Sequence, residues 1–263
     1  MAISMANLKK VRADKPPRLV IYGPEGMGKT SLAHEFPNTV FLQTEEGATG
    51  TLELDSFGLL ADFEAVMDAI GSLYSEDHGF NFVALDTTTS MEKLVWAETC
   101  RRQKWASIEA PGYGKGYKEA DYVWQELLDG LAALRRDRNM GVLFLAHSEV
   151  SRFDDPTTSS YSRYDIDLHD RAKAMINRDV DAILLIKQEV SLAKDDQGFG
   201  KDRKVGQGGS ARWIYCEGRP AYTAKNRYGM PEKVMYPPGK GYDALAPFFP
   251  QPTVAGEPAA AAA

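Results

Sequence analysis

Short, nearly continuous apolar runs recur along the chain, separated by stretches whose apolar residues return every three or four positions. RLVIY (18–22), TVFLQT (39–44), FVALDT (82–87), GVLFLAHS (141–148) and DAILLIK (181–187) are of the first kind. Their length and β-branched content predict buried strands. DFEAVMDAIGSLY (62–74) is of the second kind, with Phe63, Val66, Met67, Ile70 and Leu73 on one helical face. MEKLVWAETCRRQ (91–103) and YKEADYVWQELLDGLAALRRD (117–137) also read as helices, and TSLAHEF (30–36) opens one. Strands buried on both sides and alternating with amphipathic helices predict an α/β fold, its mostly parallel central sheet covered on both faces. Beyond residue 187 the pattern changes. Segments 189–209 and 211–229, with Gly and Asp at their turns, predict a C-terminal β-hairpin extension. The polar start (1–16) reads as a flexible arm and the Pro/Ala-rich end (249–263) as a disordered tail, leaving one domain over 17–248.

Composition changes this picture little. With 263 residues and 43% hydrophobic content, the chain can fill an ordinary globular core. Cys100 and Cys216 are too few and too scattered for a disulfide framework or a zinc site, which fits a reducing cytoplasm. The first 17 residues lack an apolar signal region, and no stretch approaches the roughly 20 apolar residues of a membrane span, so a soluble protein with no membrane partner is expected. A net charge of −6 argues against a passive nucleic-acid coat but is compatible with a local basic channel.

The chemistry begins where the first strand ends. Gly23-Pro24-Glu25-Gly26-Met27-Gly28-Lys29-Thr30 fits G-x-x-x-x-G-K-[ST] in full, with a strand before it and a helix after it, and Ser31 follows. In such a loop, backbone N–H groups and the helix N-terminus cradle phosphates. Lys29 would reach the β- and γ-phosphates and Thr30 would hold Mg²⁺. A second Mg²⁺ contact calls for an acid at the end of a buried strand, and FVALD supplies Asp86. That Asp could instead cap a helix starting near Ser90. A carboxylate to orient the attacking water could come from FLQTEEG, as Glu45 or Glu46. His147 ends the fourth strand in LFLAHS. AKNRYGMP (224–231) carries Lys225 and Arg227 on a late, otherwise β-rich segment.

In this combination and order, the motifs resemble those of small, single-domain RecA-like ATPases encoded by phages, and within that set the Sak-type single-strand annealing proteins of the fourth group. The resemblance runs from about residue 17 to about residue 248 and includes GYGKGY (112–117). It implies a RecA-like P-loop core and a cytoplasmic setting in a bacterial host. RecA-like and DnaB-like ATPases place their catalytic Glu at the end of the second strand, which matches Glu45 better than Glu46. Most AAA+ machines instead keep that Glu directly after the strand-end Asp, where this chain has Thr87. By the same resemblance His147 senses the γ-phosphate. Lys225 and Arg227 match the K-x-R-x-G-P element of DnaB-type helicases, which reaches a neighbouring subunit's γ-phosphate.

Two segments suit single-stranded DNA. Residues 101–120 interleave Arg101, Arg102, Lys104, Lys115 and Lys118 with Trp105, Tyr113 and Tyr117. Cations for phosphate beside rings for base stacking is the arrangement single-strand binders use. Residues 149–173 form a long connection, expected to have little structure of its own, that carries Arg152, Phe153, Tyr161, Arg163 and Tyr164 among several acids. The expected activity is an oligomeric, Mg²⁺- and ATP-dependent ATPase, a ring or filament that binds single-stranded DNA for annealing or strand exchange, in partnership with a single-strand DNA-binding protein. Alternatives are a helicase-like motor or its loader, a P-loop kinase of a small metabolite, and a nucleotide-gated binding module with little turnover.

Overall fold

The computed structural model describes residues 15–46, 52–196 and 202–250. Most of the arm and nearly all of the tail lie outside the described residues. The five apolar runs form β1 (Arg18–Gly23), β2 (Thr39–Gln43), β4 (Phe82–Asp86), β5 (Gly141–Phe153) and β7 (Ala182–Asp196). They pair in parallel in the order β7-β1-β5-β4-β2, and a short β3 (Asp55–Leu59) adds in parallel to β2 at the edge. On the other side the chain turns antiparallel through β8 (Asp202–Tyr215), β9 (Lys225–Asn226) and β10 (Lys233–Tyr236). The α/β architecture and the C-terminal hairpin are as the hydrophobic pattern implies.

Alternation along β1 divides the core. Val20 and Tyr22 face a cluster built with α2 (Phe63–Ser75), α3 (Thr88–Gln103), α4 (Lys115–Asp137) and α5 (Asp170–Asp179). Leu19 and Ile21 face the opposite cluster, shared by α1 (Lys29–His34), β8, β10 and α6 (Gly241–Leu245). The latter layer is pinned by Glu35, whose carboxylate accepts from Tyr236 Oη at 3.1 Å and the Gly239 N–H at 2.8 Å, and also from Gly241 and Tyr242.

Three differences from the sequence reading bear on function. The stretch 149–173 is not a loop of little structure. β5 continues to Phe153, pairs antiparallel with β6 (Tyr161–Ile166), and α5 follows. The polar, alternating residues of this hairpin hide the strand signal. The β3 strand also escaped notice, because DSFGL is mostly exposed and Gly58 sits at φ 80°. Finally, α3 starts at Thr88 and Thr87 caps it, accepting from the Ser90 N–H at 3.2 Å, so Asp86 has no capping task.

Beneath the hairpin lies a buried polar cluster. Glu92 accepts the His169 N–H through both oxygens, at 3.0 and 3.1 Å. Lys173 meets Asp165 and Glu149 at 3.2 Å each. Burial, opposed by the His169 N–H, pushes the Glu92 carboxyl up to about 7. The folded chain thus holds a proton there that the unfolded chain has released. Its stabilising effect is full below the ordinary carboxylate range and is lost as pH rises to about 7. Glu92→Gln keeps an acceptor for His169. It should remove on the order of 2 kcal/mol, after allowance for screening, from the difference in unfolding free energy between about pH 5 and about pH 8. Urea titrations at both pH values check this, and an unchanged difference would rule it out.

Candidate nucleotide site

β1 delivers the chain at Gly23 to the carboxyl edge of the parallel strands. The loop then wraps through Pro24, Glu25, Gly26 and Met27 before α1 begins at Lys29, with Ser31 in its first turn. Gly26 and Gly28 adopt φ 71° and 91°, values that favour glycine. Lys29 is buried, and its Nζ donates to the carbonyls of Gly23 at 3.0 Å and Pro24 at 3.1 Å. Burial lowers its pKa, against the pull of Asp86, Glu45 and Glu25.

Thr30 and Asp86 meet as the sequence reading paired them: Thr30 Oγ1 donates to Asp86 Oδ2 at 2.8 Å. Burial raises the Asp86 carboxyl above its ordinary value, opposed by the Thr30 hydrogen bond. A hydroxyl and a carboxylate side by side are oxygen donors of the kind Mg²⁺ takes alongside waters and nucleotide phosphates. Among the described residues there is no group of three or more His, Cys, Asp or Glu side chains placed to hold a metal ion.

The two acids after β2 part company. Glu45 points inward, accepting from Ser90 Oγ through one oxygen, while the other lies 3.2 Å from His147 Nε2. Burial raises its carboxyl, but the Ser90 and His147 contacts outweigh it and hold the pKa below the ordinary value. Glu46 is exposed at the rim. Together with Gly26, Lys29, Thr30, Asp86 and His147, Glu45 lines a cavity of about 610 Å³. Sequence reasoning missed two contributors. Ser90 lies in the Thr/Ser run after Asp86, a signal that could have been used. Arg212, also in the lining, comes from β8 far along the chain and has no local signal.

His147 is joined to the hairpin behind it. Its N–H donates to Thr89 Oγ1 at 3.1 Å, Thr89 Oγ1 donates to the Asp167 carbonyl at 3.1 Å, and the Asp167 N–H donates to the His147 carbonyl at 3.0 Å. Asp167 leads to His169, whose ring stacks on Tyr117 at 4.1 Å with Trp96 edge-on.

The candidate DNA residues separate by environment. Arg101 is held by Glu98 at 2.7 Å and Glu64 at 2.6 Å, and Arg102 by Glu98 and Glu126 at 2.6 Å each. These pairs absorb the charge expected to face a phosphate backbone. Lys104, Lys115 and Lys118 are exposed, Trp105 is half-buried, and Tyr117 is engaged by His169 and Glu109. Tyr113 is fully exposed at φ 50°, between Gly112 at 69° and Gly114 at 68°. In the β5–β6 hairpin, Phe153 packs on Tyr161 and lies 4.0 Å beneath the Arg163 guanidinium. Arg152 is exposed beside Asp154, and Tyr164 lies 4.6 Å beneath Lys187.

Lys225 and Arg227 sit at the opposite end of the sheet from the loop. Asn226 is level with Ala182, which pairs with Leu19 at the start of β1, about 13 Å below Gly23 at roughly 3.3 Å per residue. Lys225 Nζ donates to the carbonyls of Asn177 at 2.6 Å and Val180 at 2.7 Å, closing the end of α5. Arg227 is 54% exposed and lies 3.6 Å from Asp181. Of the pair, Arg227 is the one that projects outward.

A phosphate-binding loop at the end of a central parallel strand, with a Thr–Asp pair and a half-buried Glu beside it, defines a P-loop nucleoside triphosphatase. The protein family described as "AAA domain" matches residues 15–228, and the chain belongs to it. No curated protein sequence matches. Among solved structures, that of the RadB recombinase is similar, with a TM-score of 0.46 and 16% identity over 86% of this chain and 90% of that one. No helix among the described residues is long and apolar enough to cross a membrane.

Proposed function

We propose that the protein is a RecA-like, Mg²⁺- and ATP-dependent ATPase that binds single-stranded DNA in phage recombination, promoting annealing or strand exchange, with ATP sites shared between subunits. The observation that carries this reading is the continuity of β5. One strand runs from His147, which lines the nucleotide cavity and touches Glu45, to Arg152 and Phe153 in the projecting hairpin. A shift of His147 on phosphate binding or release would be felt there directly. The Thr89–Asp167 bonds extend the same influence to His169 and the Tyr117 end of the other loop. The phage and annealing assignments come from the motif resemblance.

In this reading Lys29 neutralises the β- and γ-phosphates, Thr30 and Asp86 hold the cation, and Glu45 orients the attacking water. Mg²⁺ supplies charge neutralisation on the phosphate oxygens when bound. The test is ATP hydrolysis with and without single-stranded DNA, alongside DNA binding by Tyr113→Ala. DNA should stimulate turnover. Loss of one exposed stacking ring should weaken DNA binding by about tenfold. Turnover indifferent to DNA, together with unaltered binding by Tyr113→Ala, would overturn the DNA assignment.

A further inference from the structure

The nucleotide cavity contains a cation that no part of the reading above uses. Arg212 stands on β8, opposite Gln188 of β7 and Tyr236 of β10. That register carries it past the end of β1, since Gly23 lies beside Ile186, and hence over the phosphate loop. Its side chain shares a face with Ile214, which packs in the cluster containing α1. A Cβ built on Gly28 would lie 2.6 Å from Arg212 Nη1 and 3.7 Å from the Tyr236 ring. The guanidinium therefore rests against the glycine that immediately precedes Lys29, at the N-terminus of α1. Among the described residues it has no hydrogen-bond or ion-pair partner, in contrast to Arg101, Arg102 and Arg227. A half-buried guanidinium with its donors unspent, aimed into a cavity with a phosphate loop, is arranged to receive an anion.

Its position in the sheet selects which part of the nucleotide it meets. Asp86 and Glu45, which would flank the transferred phosphate, end β4 and follow β2. Arg212 is on β8, four strand positions from β4 in the order β8-β7-β1-β5-β4. Arg212 reaches the loop at Gly28 from the β8 side of β1, whereas Asp86 and Glu45 close the cavity from the β4 and β2 side, so the guanidinium meets the phosphates from the side away from the transferred one. We propose that Arg212 is a nucleotide-binding residue acting within its own subunit, gripping the non-transferred phosphates. ATP and ADP are then held alike, and the grip on the spent nucleotide is set in part from the C-terminal hairpin.

The inference rests on the proposed nucleotide site, so its test separates the two. Titration calorimetry with Mg·ADP and with a non-hydrolysable Mg·ATP analogue would be run on the unaltered protein, Lys29→Ala, Arg212→Ala and Arg212→Lys, with thermal melts to verify folding. Arg212→Ala should weaken both nucleotides by the same factor, about tenfold or more. Arg212→Lys should recover much of that loss for both nucleotides, because a point charge still meets phosphate. If the unaltered protein binds ADP and Lys29→Ala loses it, while folded Arg212→Ala binds ADP with unchanged affinity, Arg212 is overturned. If Arg212→Ala loses the ATP analogue alone, the residue faces the γ-phosphate and the inference is equally overturned. If the unaltered protein binds neither nucleotide, the nucleotide site falls, and Arg212 with it.

Discussion

Glu45→Gln should bind Mg·ATP about as tightly as the unaltered protein and hydrolyse it about 10²- to 10⁴-fold more slowly. The substitution keeps the size and one acceptor of the side chain, so the contact from Ser90 can persist. It removes the negative charge that would draw a proton from the attacking water. Glu45 is suited to that task because its pKa lies below the ordinary value: burial alone would raise it, and the Ser90 and His147 contacts more than compensate. It is therefore ionised throughout the neutral range, and activity limited by this group should fall only on acidification. Glu46→Gln, altering an exposed rim residue, should turn over nearly as fast as the unaltered protein. The opposite pattern, with Glu46→Gln inactive and Glu45→Gln active, would exchange their roles. Single-turnover hydrolysis with a parallel binding titration reads both quantities.

Arg227→Ala should lower turnover by about 10³-fold or more, the effect expected for a cation inserted beside a transferring phosphate from a neighbouring subunit. Arg227 lies on the far side of the sheet from its own loop, so any such contact has to be made across an interface. Arg227→Ala should therefore retain ATP binding, whereas Lys29→Ala should lose it. Mixing the two inactive variants should restore part of the activity, since some interfaces then pair an intact loop with an intact Arg227. Full activity in Arg227→Ala, or no recovery on mixing, would remove the shared-site proposal. Lys225→Ala is expected to act differently. Lys225 Nζ is bonded to the carbonyls that end α5, so its loss should lower the melting temperature along with any effect on turnover.

Much of the site was written locally. The loop from Gly23 to Thr30 is contiguous, and its strand and helix flanks follow from hydrophobic periodicity over a few residues. Asp86 closes an apolar run, and its pairing with Thr30 was expected because a second Mg²⁺ contact calls for an acid at the end of a buried strand. The split between Glu45 and Glu46 was favoured towards Glu45 only through the motif resemblance. Packing turns Glu45 toward Ser90 and His147 and leaves Glu46 exposed. The DNA candidates were legible as a composition and not as an arrangement. Arg101 and Arg102 have Glu98 one turn earlier on α3, and the contact of α3 with α2 and α4 brings Glu64 and Glu126 beside them as well.

The sequence by itself determined the class of fold, the phosphate loop and the presence of a late hairpin, because each depends on interactions within a few residues or on a simple period. Tertiary structure decided which acid meets Ser90 and His147 and that the segment after His147 is a strand continuing out of the sheet. It also decided that Lys225 closes a helix while Arg227 projects, and that Arg212 lies against Gly28. Those outcomes depend on strand order and register between segments far apart in the chain. The pairing of β7 with β8 sets Arg212 over a loop 184 positions earlier, a juxtaposition that no local pattern encodes.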